Sequence, residues 1–220
     1  MFETILNLIY PETCGICNKI CKESLCKKCE LVIKQYEIKK LIYCKKDNKK
    51  YFDYIFNTLK YEDIIRKKII EYKFGDKPYL YKFFSKIISK NIKTFGLFEN
   101  NYDIIIPVPN YRKKKQLRGY NQTELIAKEI AKQIINLEYE DKILLKIRNT
   151  IPQSSLSKKE RKSNIKDVFI VNNKYIEELK DKRVILFDDI YTTGSTVNEC
   201  SKVLKSNGVK EILVLTIAKD

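Results

Sequence analysis

The run Val184-Ile185-Leu186-Phe187-Asp188-Asp189-Ile190-Tyr191-Thr192-Thr193-Gly194-Ser195-Thr196 narrows the folds open to this chain more than any other stretch. Four apolar residues predict a buried strand, two acids follow, and a hydroxyl-rich turn with one glycine leads into a predicted helix. In open α/β sheets ligands bind beyond the carboxyl ends of the strands, where a helix N-terminus offers free backbone N–H groups and a positive dipole end. The turn therefore suits a phosphate, and the acids suit something neutral or cationic beside it. A sugar phosphate meets both demands. Asp188 and Asp189 accept hydrogen bonds from ribose hydroxyls, while Thr192, Thr193, Gly194, Ser195 and Thr196 wrap a 5′-phosphate with N–H and O–H donors. The alternative at this point is an ordinary strand-to-helix turn with Ser195 or Thr196 as helix cap. A Walker-type nucleotide site is excluded, because no Gly in the chain is followed by Lys.

Two further stretches converge on the same chemistry. Asp103 to Val108 reads as a buried strand ending at Pro107 and Pro109, and the segment from Pro107 to Arg118 carries five basic residues and no acid. Guanidinium and ammonium groups at a strand's carboxyl end are placed to meet a pyrophosphate. Asn121 or Thr123 is then positioned to cap a helix whose Leu125, Ile126, Ile130 and Ile134 share one face. Ile143 to Ile147 predicts the next strand, expected on the rim that carries the acid pair. The long polar stretch after it, from Arg148 to Asn164, reads as a basic lid able to close over a leaving group. Upstream, Tyr51 to Tyr61 predicts a strand. Ile64, Ile65, Lys68, Ile69 and Tyr72 recur at helical spacing up to a stop at Gly75, a stripe read as core rather than site. A second helix is expected over Tyr79 to Ile92, a short one near Tyr175 to Leu179, one from Ser195 to Ser206, and a last strand over Glu211 to Ile217. Strands alternating with helices argue for an α/β fold, a mostly parallel sheet flanked by helices.

Six of the seven cysteines fall between Cys14 and Cys44. The spacing Cys14-x2-Cys17-x8-Cys26-x2-Cys29 pairs two knuckles, and four thiolates in a chain without His select tetrahedral Zn²⁺ over harder metals. Cys21 and Cys44 are expected to be spectators. These features divide the chain into an N-terminal zinc-knuckle module, 1–48, and a larger α/β domain, 49–220. No apolar run reaches the length of a membrane span and no signal peptide is evident, so the expected location is cytoplasmic. The net charge of +16 favours phosphorylated or polyanionic partners, although the basic excess is spread along the chain.

The stretch 184–196 resembles the phosphoribosyl pyrophosphate (PRPP) motif of type I phosphoribosyltransferases. Taken with Pro107-Val108-Pro109, Arg118-Gly119-Tyr120-Asn121-Gln122, the series Arg148, Thr150, Gln153, Leu156, Arg161, Asn164, and the N-terminal knuckle, it resembles the ComF (ComFC) family of competence proteins over nearly the whole chain. That resemblance implies a PRPP-binding core with Mg²⁺ accompanying the ligand, a role in natural competence, and single-stranded DNA and the competence-operon DNA helicase as partners. By match of motif, Asp188 and Asp189 would hold ribose hydroxyls and Thr192 to Thr196 the 5′-phosphate. Arg112, Arg118, Arg148, Gln153 and Arg161 would meet pyrophosphate or a nucleic-acid backbone. An active phosphoribosyltransferase would also need a hood over its acceptor. Three residues after the last expected strand cannot build one, so the N-terminal 45 residues are expected to supply it.

Overall fold

Strand β7, Arg183–Tyr191, is the spine on which the other elements are assembled. The computed structural model describes residues 12–44, 50–97, 102–111, 121–150 and 158–220, without the side chains of 158, 159, 161 and 162. In chain order the elements are α1 (Lys27–Lys34), β1 (Leu41–Tyr43), β2 (Tyr54–Lys60), α2 (Asp63–Phe74), α3 (Leu80–Thr94), β3 (Ile104–Pro107), α4 (Gln122–Ala131) and β4 (Glu138–Tyr139). There follow β5 (Leu144–Lys146), α5 (Lys158–Ile165), β6 (Phe169–Val171), a 3-10 turn (Asn173–Tyr175), α6 (Ile176–Leu179), β7, α7 (Ser195–Ser206) and β8 (Glu211–Lys219). Six strands form one sheet in the order β1-β2-β8-β7-β3-β4, parallel throughout except for β1 against β2. The mixed α/β architecture with a mostly parallel sheet is thus as expected.

Parallel strands covered on both faces need apolar residues at consecutive positions, and β7 and β8 have them. Alternation along each strand divides the interior in two. Ile185 and Phe187 of β7 face one core with Leu213, Leu215 and Ile217, roofed by α1, α2, α3 and α4. Val184 and Leu186 face the other with Ile212 and Val214, closed by α7, α6 and the β5–β6 pair.

Three expectations change. The strand expected to end at Phe187 continues through both acids to Tyr191, because β8 is long enough to keep pairing it as far as Lys219. The expected rim strand 143–147 is not in the main sheet. Leu144–Lys146 instead pairs antiparallel with Phe169–Val171 as a separate two-stranded ribbon, reached across a long segment that includes α5. Part of the expected lid is helical, as α5, while residues 151–157 lie outside the described part.

Helix α2 starts three residues after β2, whose end is tied to β8 by Tyr61 N–H donating to the Lys219 carbonyl at 2.8 Å. At its other end Tyr72 donates its hydroxyl to the Gln122 carbonyl at 2.7 Å, and Gln122 Nε2 donates to the Lys73 carbonyl at 3.3 Å. Both ends therefore sit at the carboxyl edge of the sheet. A helix of this length spans ~18 Å, and β2 to β3 is three strand spacings, ~14 Å. Helix α2 thus runs from the end of β2 toward the start of α4, with Lys73 in its last turn beside the end of β7.

The cysteine knuckle docks on α3. Lys82, Lys86 and Lys90, spaced one turn apart, pair with Glu12 (2.5 Å), Glu23 and Glu30 of the knuckle. Between them Gly15 lies against the buried Phe83 ring so closely that an added Cβ would stand 2.6 Å from its Cγ. Among the described residues no helix is long and apolar enough to cross a membrane.

Candidate ligand site at the carboxyl edge of the sheet

At the end of β7 the backbone continues as a strand while the side chains change from apolar to acidic, and strand alternation sends the two acids to opposite faces. Asp188 follows Val184 and Leu186 toward the α7 side, where Lys146 and Cys200 contribute to its electrostatic surroundings. Asp189 follows Ile185 and Phe187 toward the α2 side, where Lys73 Nζ meets its Oδ2 at 2.5 Å. Asp189 is thus paired directly with a lysine, whereas Asp188 feels Lys73 and Lys146 only through their charge. Burial first, and then the charge of Asp189, push the Asp188 carboxyl up to about 7 from 3.8. The Asp189 N–H, Lys73 and Lys146 pull the other way.

The row beside Asp188 is polar across three strands. Thr216 of β8 pairs in register with Asp188 and with Asn57 of β2, and its hydroxyl donates to Asn57 Oδ1 at 2.9 Å. Thr58 donates to the Thr216 carbonyl at 2.9 Å. All three are buried, so this edge is polar well inside the sheet.

The turn after the acids is built for close approach. Gly194 has φ +73°, a conformation that penalises any side chain, and a Cβ there would stand 2.6 Å from the Tyr191 hydroxyl. The Thr193 and Ser195 hydroxyls lie 2.8 Å apart, and α7 begins at Ser195 with its first-turn N–H groups directed at the turn. Asp188, Ile190, Tyr191, Thr192, Gly194, Ser195, Thr196 and Val197 line a shallow, open cleft. A larger cavity, about 190 Å³, lies elsewhere, among Leu97, Tyr102, Ile134 and Leu137. It opens near Asp103 at the amino end of β3, away from the edge where such sheets bind ligands.

Of the other expected site residues, Arg148 is described. It is exposed and donates Nη2 to the Lys166 carbonyl at 2.5 Å, closing the base of the loop between β5 and β6. Arg112, Arg118 and Gln153 lie outside the described residues, as does the side chain of Arg161 on α5. Asn121 caps α4 as expected, accepting from Thr123 N–H at 3.3 Å, and Asn110 Nδ2 donates to the same oxygen at 2.7 Å. Lys73 and Lys146 went unnoticed in the sequence. Lys73 follows a stripe read as core, and Lys146 sits in a strand read as part of the main sheet.

In the knuckle, the sulfurs of Cys14, Cys17, Cys26 and Cys29 all lie within 4.8 Å of one another, and Cys17 Sγ is 3.9 Å from Cys26 Sγ. A tetrahedron with metal–sulfur bonds of about 2.3 Å has an edge of roughly 3.8 Å, so the donor set fits a metal ion. Burial opposes ionisation of Cys14, but the backbone N–H groups of Cys26, Cys17 and Ile16 outweigh it and draw the thiol down to about 6. Cys21 and Cys44 stand outside the cluster, Cys21 donating to the Glu23 carbonyl and Cys44 directed at the Ile42 carbonyl.

A strand, an acid pair, a glycine turn and a helix N-terminus at the carboxyl edge of a parallel sheet are the parts of a phosphoribosyltransferase-type domain. Residues 121–220 match the family model described as "Phosphoribosyl transferase domain". The chain is similar to the competence proteins F and ComFC. It is 40% identical to Competence protein F of Haemophilus influenzae over 119 residues, 53% of this chain and 50% of that protein. It is 27% identical to Competence protein ComFC of Streptococcus pneumoniae over 217 residues, 99% of this chain and 85% of that protein. DNA utilization protein YhgH of Escherichia coli K12 matches at 27% identity over 117 residues, 53% of this chain and 49% of that protein. The chain thus spans about half the length of most of the curated relatives named here. Among solved structures, the glutamine PRPP amidotransferase of B. subtilis overlays with a TM-score of 0.43 at 17% identity, over 67% of this chain and 30% of that one. That overlay is too loose to add weight.

Proposed function

We propose that this protein binds PRPP with Mg²⁺ at the carboxyl edge of its sheet and serves in the handling of single-stranded DNA during natural competence. The observation that carries the first half is the acid pair on β7 held one tight turn from the N-terminus of α7. Asp188 and Asp189 accept the ribose hydroxyls, and Thr192, Thr193, Gly194, Ser195 and Thr196 enclose the 5′-phosphate. Arg112, Arg118, Arg148, Gln153 and Arg161 serve pyrophosphate or nucleic-acid phosphate. The relatives' names, two of competence proteins and one of a DNA utilization protein, support the role in competence; its proposed partners are single-stranded DNA and the competence-operon helicase, in the cytoplasm. Cys14, Cys17, Cys26 and Cys29 hold a structural Zn²⁺ that braces α3.

A second reading, an active transferase, is favoured by the position of α2 over the edge, where a hood would exclude water from an acceptor. Transfer breaks the bond from the anomeric carbon to pyrophosphate and forms one to a nitrogen, whose proton is lost. The protein contributes orientation and charge stabilisation.

Calorimetry with Mg²⁺ and PRPP tests the first reading: wild type binds, and the Asp188→Asn/Asp189→Asn double variant loses at least tenfold in affinity. Wild type that does not bind ends the proposal. Incubation with PRPP and a panel of bases and amines separates the two readings, since only a transferase releases pyrophosphate in an acceptor-dependent way.

A further inference from the structure

We infer that Lys73 is a ligand-exchanged cation: in the free protein it neutralises Asp189, and on PRPP binding it gives up that carboxylate to the ribose diol and takes the pyrophosphate instead. The inference rests on reading this edge as the PRPP site and assigns it a residue that the motif does not contain.

The contact is specific in position. Lys73 Nζ lies 2.5 Å from Asp189 Oδ2, on the carboxylate that the sugar hydroxyls would need, and both side chains are mostly covered. A carboxylate oxygen already held by an ammonium is a poor acceptor for an incoming hydroxyl, so the pair competes with the ligand. The competition is local, because Lys73 is held by its backbone and, among the described residues, by no second side-chain partner. Its carbonyl accepts from Gln122 Nε2, and the preceding Tyr72 is anchored to the Gln122 carbonyl. The helix end therefore stays in place while the four-carbon side chain turns.

The other cations nearby are committed elsewhere. Lys68 and Lys77 both pair with Glu71, at 3.1 and 3.0 Å, and Lys146 approaches from the opposite face of β7 with Nζ donating to Thr150. Among the described residues Lys73 is the ammonium paired with Asp189. In PRPP the pyrophosphate is carried on the carbon next to the one bearing the 2-hydroxyl. An ammonium displaced from the carboxylate that holds the diol thus finds the leaving group within the sweep of its own side chain. The exchange preserves its charge pairing throughout, trading one carboxylate for a more highly charged partner.

Ribose 5-phosphate and PRPP separate the two halves of this role, because they share the diol and the 5′-phosphate but only PRPP has the pyrophosphate. Both are titrated calorimetrically, PRPP with Mg²⁺, into wild type, Lys73→Ala and Lys73→Gln, with circular dichroism melts to verify folding. Loss of the ammonium frees Asp189, so ribose 5-phosphate is expected to bind about threefold or more tightly to the variants than to wild type. The same loss removes a pyrophosphate partner, so PRPP is expected to bind at least tenfold more weakly. Affinities that move in the same direction, or do not move, overturn the role of Lys73 while leaving the PRPP site standing. If wild type binds neither ligand, the site reading itself fails.

Discussion

The two acids of β7 differ by one position and by everything around them. Asp188 is turned into the α7 side with its carboxyl raised to about 7, and Asp189 is paired to Lys73. An acid whose pKa is higher folded than unfolded binds its proton more tightly in the native state. Between about pH 4 and 7 the folded protein therefore holds more protons than the unfolded chain, and this group's contribution to stability falls as pH rises through that window. Asp188→Asn removes the penalty. Its melting temperature should exceed that of wild type at pH 8 by about 2–4 °C per kcal/mol relieved, and by clearly less at pH 5. An equal gain at both pH values would refute the buried-charge account. The identity of the acids could be read in the sequence, and so could their place after a strand. Their opposed directions could not, because the strand was expected to stop at Phe187. Alternation has meaning only for residues that remain in the ladder.

At the scale of elements, the knuckle and α3 behave as one device. Four thiolates gather two loops, and the loops carry the acids that meet Lys82, Lys86 and Lys90. Exposed pairs of this kind each add little, on the order of 0–1 kcal/mol, so a metal ion at the four cysteines, as proposed, would be what holds the acids in register for the stripe to matter. Cys14→Ser and Cys26→Ser should each lose bound zinc by elemental analysis. In limited proteolysis both should be cut within 12–29 before the sheet is, whereas wild type resists. Zinc retained at full occupancy in both variants would defeat the ligand set. The Cys spacing made this device legible, since thiolate pairs two residues apart announce a shared ion. The lysine stripe on α3 was hidden because charges one helical turn apart usually mark a solvated face. The placement of α2 was hidden for a related reason. Its apolar periodicity revealed a buried side, but periodicity carries no information about which edge of a sheet a helix crosses.

Taken whole, the molecule joins a net charge of +16 to a small cleft at the carboxyl edge of its sheet. The charge of +16 is not gathered in one segment, so a polyanion would be held by many weak contacts rather than one strong patch. Affinity for a single-stranded oligonucleotide should therefore fall steeply with salt, each phosphate contact adding about −0.7 to the log–log slope. Filter binding from 50 to 300 mM salt is expected to give a slope of roughly −2 or steeper, and a flat dependence would remove nucleic acid as a partner of this surface. The sheet order was only partly legible. An alternation of strands and helices implied parallel pairing, but nothing local distinguished the ribbon Leu144–Lys146 from a strand of the main sheet. The difference lies in its partner, Phe169–Val171, more than twenty residues away across a long polar segment.

The opposed acids have a further consequence for anyone altering this protein. The two halves of the interior, the one under α1 to α4 and the one under α7, meet at the end of β7, where Asp189 and Asp188 turn to opposite sides. Either half can be redesigned or exchanged for that of a relative as a separate graft. A faulty graft would show its side of origin: damage beneath α2 would be felt by whatever Asp189 holds, and damage beneath α7 by whatever Asp188 holds. The Asp-Asp dipeptide is the suture line of the molecule, and a chimera joined elsewhere would have to recreate it.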